Sequence, residues 1–148
     1  MKYKKQLSPF IYYTSGLLLF FIDTAIFSLS EKALVYSMLC FYVLQLKKQI
    51  SWWRILFLLF LLCLNSLLHY GRFSLELLYL LPITAMGLKI KHIFYNRYWH
   101  YYALLMAALL AKILLIEYLL IGLPISLSYT FSILFANMII VWCMSLKL

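Results

Sequence analysis

Six polar side chains sit in otherwise apolar stretches of the chain: Asp23, Asn65, Glu76, Lys112, Glu117 and Asn137. Ionisable groups are costly in hydrocarbon, so each marks either a proton or solute site or a pin between helices. Lys112 and Glu117 are five apart, about 140° around an α-helix at 100° per residue, and make poor partners for each other. Lys112 is therefore expected to meet Asp23 or Asn137 on another helix, with Glu117 facing outer-side polar groups. Arg72 and Glu76, four apart at a helix start, are expected to pair there, where the acid also suits the positive helix end. Asn65 and Asn137 are expected to hydrogen-bond between helices.

No other chemistry is nominated. The chain has no Ser–His–Asp or Cys–His order, no glycine-rich phosphate loop and no H-E-x-x-H. His69, His92 and His100 fall at junctions, His92 and His100 lack carboxylates at ligand spacing, and no metal or cofactor is expected. Cys40, Cys63 and Cys143 each lie within an apolar run, with no C-x-x-C. They are expected to be plain core thiols. The reading is non-enzymatic.

The elements that must hold these residues follow from composition. Of 148 residues 67% are hydrophobic and 11% charged, against roughly 45–50% and 25% in soluble domains. Too little polar surface remains to cover a water-soluble globule. The net charge of +9 is split into small groups by apolar runs, which argues for membrane topology and against nucleic acid as a partner. Six apolar segments are expected to be spans, over 8–28, 33–46, 52–68, 73–88, 101–121 and 125–146. The second is short for a core of about 30 Å. The runs over 55–64 and 103–116 are continuous rather than alternating, which excludes barrel strands. The expected fold is all-α, a compact bundle of about six transmembrane helices in a single integral membrane domain.

Orientation follows from the cations. Lys2, Lys4, Lys5, Lys47, Lys48, Arg54, Lys89, Lys91, Arg97 and Lys147 fall on one side, against Lys32 and Arg72 on the other. Both termini are therefore expected in the cytoplasm. Trp52, Trp53, Trp99 and Trp142 cluster near the same boundary, as interfacial aromatics do. The amino terminus has the look of a signal peptide, but Asp23 and the length of the apolar run favour a retained anchor.

From about residue 31 to 148 the order of elements resembles the rod-shape-determining MreD family of small bacterial inner-membrane proteins. The resemblance is carried by the short span over 33–46, the basic turn Lys47-Lys48 and a long span ending in Asn65-Ser66 before Tyr70-Gly71. The basic aromatic run from Lys89 to Arg97 and the later span with Glu117 continue it. The chain departs at Asn65, where the family commonly has an Asp, and at Gly71, which lacks a preceding acid. The resemblance implies a scaffold of cell elongation in the bacterial cytoplasmic membrane, with MreC-like and peptidoglycan-synthesis proteins as partners. An alternative expectation is a small solute-binding membrane subunit of a transporter, similar to the substrate-capture components of energy-coupling-factor systems. Asp23, Glu76 and Glu117 would then line its pocket. A pore or proton path using Asp23, Lys112 and Glu117 is a third. The short outer connections, over 29–32, 69–72 and 122–124, favour the scaffold.

Overall fold

Leucine-rich, non-alternating runs favour helix, and every regular element among the described residues is one. The computed structural model describes residues 8–29, 35–46, 51–73, 75–93, 98–122 and 124–147, with side chains described for all of these except 29, 90–93, 98, 99, 146 and 147. Pro9 opens α1 (Pro9–Leu29), where its missing N–H costs nothing, and the Ser8 hydroxyl accepts the Ile11 N–H at 3.4 Å. A short α2 (Ser37–Leu46) follows. The next helix, α3 (Trp52–Tyr70), stops at Gly71, whose left-handed φ of 69° lets its N–H return to the Leu67 carbonyl at 2.9 Å. Beyond it come α4 (Leu77–Ile93) and α5 (Tyr98–Ala111). The latter runs into a π-helical segment, Lys112–Leu120, before α6 (Leu127–Lys147).

Four stretches are long and apolar enough to cross a membrane: Pro9–Ser28, Trp52–Tyr70, His100–Leu120 and Leu127–Ser145. The other two helices are shorter. With 17 residues α4 is about 25 Å long, and with 10 residues α2 is about 15 Å, half a bilayer core. Within the expected span over 33–46 the described helix thus begins only at Ser37. The expected start of the fourth span at 73 also moves, because residues after Gly71 form turns and the Ser66 hydroxyl donates to the Arg72 carbonyl at 2.9 Å.

Contacts between helices fix their directions. Tyr12 donates its hydroxyl to the Arg54 carbonyl at 3.2 Å, and the Phe27 and Tyr70 rings meet at 6.2 Å, so α1 and α3 run parallel. The chain between them returns through α2. Tyr42 hydrogen-bonds Thr84, which sets α4 beside α2 and parallel to it. A Cβ on Gly87 would lie 3.0 Å from Leu46 and 3.1 Å from Leu104, so the bare backbone lets α4 approach both α2 and α5 closely. Tyr36 reaches Glu117 at one end of α5 and its π segment, and Asn137 in α6. The six helices therefore alternate in direction, and Pro9 and Lys147 lie at the same end of the bundle. Trp52, Trp53 and Trp142 are exposed at that end. Trp99 opens α5 there, and its side chain lies outside the described residues.

The short helix is the hub. Nine of its ten residues are buried, and it packs against each of the other five helices. The outer surface is apolar instead, with Leu18 and Phe21 on α1 and Phe131 and Phe135 on α6 facing outward. An apolar exterior around buried charges suits a bilayer. It fits a multi-pass membrane protein.

Candidate functional site: a buried charge network at the head of the hub helix

A helix that begins inside a bundle leaves its first N–H groups without helical partners. In hydrocarbon each such group costs several kcal/mol. For α2 these donors are Tyr36, Ser37, Met38 and Leu39, since the first helical bond runs from Cys40 N–H to the Tyr36 carbonyl at 3.1 Å. Other helices supply the acceptors for the first three. Asp23 of α1 takes the Ser37 N–H at 3.0 Å on Oδ1 and the Met38 N–H at 2.9 Å on Oδ2. The Ser37 hydroxyl also donates to Asp23. Asn137 of α6 takes the Tyr36 N–H on Oδ1 at 2.9 Å and donates from Nδ2 to the Ile133 carbonyl at 2.8 Å. A carboxylate at a helix amino end is also favoured by the helix dipole.

The second half of the network is ionic. Lys112 Nζ lies 2.7 Å from Glu76 Oε1, with both side chains buried. The other Glu76 oxygen accepts the Tyr79 hydroxyl. Lys112 also sits 4.4 Å above the Tyr36 ring, a cation–π contact in a desolvated place. Glu117 Oε1 accepts the Tyr36 hydroxyl at 2.9 Å. Tyr36 thereby joins the head of α2 to α6 through its N–H, and to the π segment through its hydroxyl and its ring face.

Local helix form explains how Lys112 and Glu117 both face inward. Ile121 N–H reaches back five residues to the Ile116 carbonyl at 3.0 Å. In such a wide turn, residues five apart lie almost over one another. Lys112, Ile113, Ile116 and Glu117 are the buried residues of the segment, while Leu114, Leu115 and Leu119 point outward. The expectation that Lys112 and Glu117 diverge assumed an α-helix and is corrected here.

Two expected pairings are corrected as well. Lys112 pairs with Glu76, not with Asp23 or Asn137, because both acceptors are engaged by the amino end of α2. Arg72 does not hold Glu76: the arginine is exposed, and the glutamate turns inward to Lys112 and Tyr79. Glu76 also precedes α4 rather than lying one turn inside it, and its carbonyl accepts the Leu80 N–H at 3.1 Å. Five of the six sequence-selected residues thus join one network. Asn65 stands apart in α3, buried, with no partner for its Oδ1 among the described residues. Cys40 and Cys63 are buried, whereas Cys143 is exposed.

Tyr36, Ser37 and Tyr79 were not singled out from sequence. A tyrosine in an apolar run reads as a core or interface residue, and nothing local reveals that the chain starts a helix at Ser37. An apolar groove of about 550 Å³ lies elsewhere, on the outward face of α1 between Thr14 and Ala25, and none of the network residues line it. The chain has no match among protein-family profiles, curated proteins or solved structures.

Proposed function

We propose that this protein is a non-enzymatic, six-crossing scaffold of the bacterial cytoplasmic membrane, with both termini in the cytoplasm. On its MreD-like order of elements it serves the cell-elongation machinery beside MreC-like and peptidoglycan-synthesis proteins. One observation carries the scaffold reading: Asp23 and Asn137 are turned inward onto the head of the hub helix, and Glu76 and Lys112 onto each other. What remains for other molecules is a lateral apolar surface, which suits contact with neighbouring membrane helices. The alternating helix directions agree with the positive-inside orientation read from the cations. Depleting the protein in its host should disturb cell shape, and purification in mild detergent should retain an MreC-like partner. Normal shape on depletion would overturn the reading.

A small solute-binding transporter subunit is the second reading. It is favoured by the half-length helix that ends on a carboxylate in the membrane interior, an arrangement transporters use for anionic substrates. Micromolar binding of a metabolite, lost in Asp23→Asn, would establish it over the scaffold.

A further inference from the structure

Acids and cations are segregated along the bundle axis. The chain's four acids are Asp23, Glu31, Glu76 and Glu117. Three are buried in the interior, and Glu31 follows α1 in sequence after that helix has crossed the bundle. At the end shared by Pro9 and Lys147 the helices carry basic charge alone. Arg54 lies in the first turn of α3, Lys89 and Lys91 in the last two turns of α4, and Lys147 closes α6.

Lys89 is exposed, and Arg54 is half-buried with its guanidinium 5.2 Å above the Tyr12 ring. Neither has a carboxylate partner among the described residues, where Lys112–Glu76 is the one salt bridge. The close approach at Gly87, two positions before Lys89, draws the ends of α2 and α4 and the start of α5 together at this rim. Indoles stand among the cations: Trp52 and Trp53 beside Arg54, and Trp142 one turn before Lys147, are all exposed. Exposed tryptophans at the end of an apolar bundle sit at headgroup depth, between hydrocarbon and water. The cations beside them therefore stand at the depth of the lipid phosphates. An acidic protein partner would satisfy the cations and leave the indoles unexplained, whereas a headgroup layer takes both.

We infer that this rim is a docking surface for anionic phospholipid headgroups, with Arg54, Lys89 and Lys91 meeting the phosphates and the tryptophans anchoring at the same depth. The inference rests on the membrane reading above and not on the partners proposed there. Basic groups clustered between helix ends attract anionic lipids electrostatically.

The test uses the full chain in bilayers of phosphatidylcholine mixed with phosphatidylglycerol. One lipid at a time carries bromines near its headgroup, which quench neighbouring indoles. At equal mole fraction the brominated phosphatidylglycerol should quench more strongly, by an amount equivalent to about fivefold tighter binding, the attraction of about one cation to an anionic surface. At 1 M salt, where screening acts within about 3 Å, the preference should vanish. Combining Arg54→Gln, Lys89→Gln and Lys91→Gln should weaken it at low salt, and Arg72→Gln at the opposite end should leave it unchanged. The salt comparison needs no variant, so a triple variant that fails to fold leaves the test intact. Equal quenching by the two lipids at low salt would overturn the inference, keep the chain in the membrane and turn the cations toward an acidic protein. A preference that survives high salt, or one undiminished in a folded triple variant, would overturn it as well. No quenching by either lipid would overturn the membrane reading itself.

Discussion

Lys112 and Glu76, 36 positions apart, meet at 2.7 Å with their side chains only 4% and 2% exposed. The pair ties the start of α4 to the π segment. Its value lies in mutual dependence: each charge is tolerable in the apolar interior because the other is present.

Removing one partner should therefore cost more than removing both. Lys112→Met leaves Glu76 buried and unpaired, and should destabilise the bundle by about 3–5 kcal/mol. The double variant Lys112→Met with Glu76→Met should recover most of that loss. Unfolding curves in detergent micelles measure both. Equal costs for the single and double variants would show that the pair is not coupled.

Asp23 makes a different kind of contribution, because it serves as a helix cap delivered from another helix. Asp23→Ala orphans the Ser37 and Met38 N–H groups and should cost about 1–3 kcal/mol. Ser37→Ala removes only the hydroxyl bond and should cost less. Hydrogen exchange at the Ser37 and Met38 amides separates the two, with fast exchange expected in the Asp23 variant alone. Unchanged protection in Asp23→Ala would remove the capping role.

Much of this was legible in the sequence, because apolar runs and cations report directly on burial and side. The helical class and the alternation of helix directions followed from them. So did five residues of the network, since a charge in an apolar run is conspicuous wherever its partner lies. The partners were not legible. Lys112 and Glu117 were assigned to diverging faces on α-helical geometry, and a π-helical turn has no composition of its own. Arg72 and Glu76 have ideal local spacing, yet Lys112 offered Glu76 a buried cation that an exposed arginine could not. The hub role of α2 was hidden because a 10-residue helix looks like an inadequate span until α1 and α6 are seen to accept the Tyr36, Ser37 and Met38 N–H groups at its head.

Close approach at Gly87 gives a packing prediction. A side chain there must displace Leu46 and Leu104, at 3.0 and 3.1 Å from the position of a Cβ. Gly87→Leu should destabilise by about 1–3 kcal/mol. Adding Leu46→Ala should recover part of the loss in the same unfolding assay. No recovery would place the clash elsewhere.

Topology is open to direct measurement. A reporter active only in the cytoplasm should give signal when fused after Leu148 and none when fused at Gly71 or Gly122. A reporter active only outside the cytoplasm should give the reverse. The helix directions require the Leu148 fusion to differ from the other two, and the cations set which side is which. Equal signals at Leu148 and Gly71 would break the alternating arrangement.

The π segment yields the sharpest structural prediction. Its wide turn places Lys112 and Glu117 on one face although they are five positions apart. Deleting Leu115, which points outward, brings the two to a spacing of four, and residues four apart share a face in an ordinary α-helix. The shortened chain should therefore close into α-helix while keeping both the Lys112–Glu76 pair and the Glu117–Tyr36 bond. Deleting Ile113 removes a buried side chain from that face and should destabilise by several kcal/mol, as large core losses do. Unfolding in micelles separates the outcomes, with the Leu115 deletion close to the parent chain and the Ile113 deletion well below it. If the Leu115 deletion unfolds as readily as the Ile113 deletion, the wide turn holds the segment in some way beyond placing these two charges.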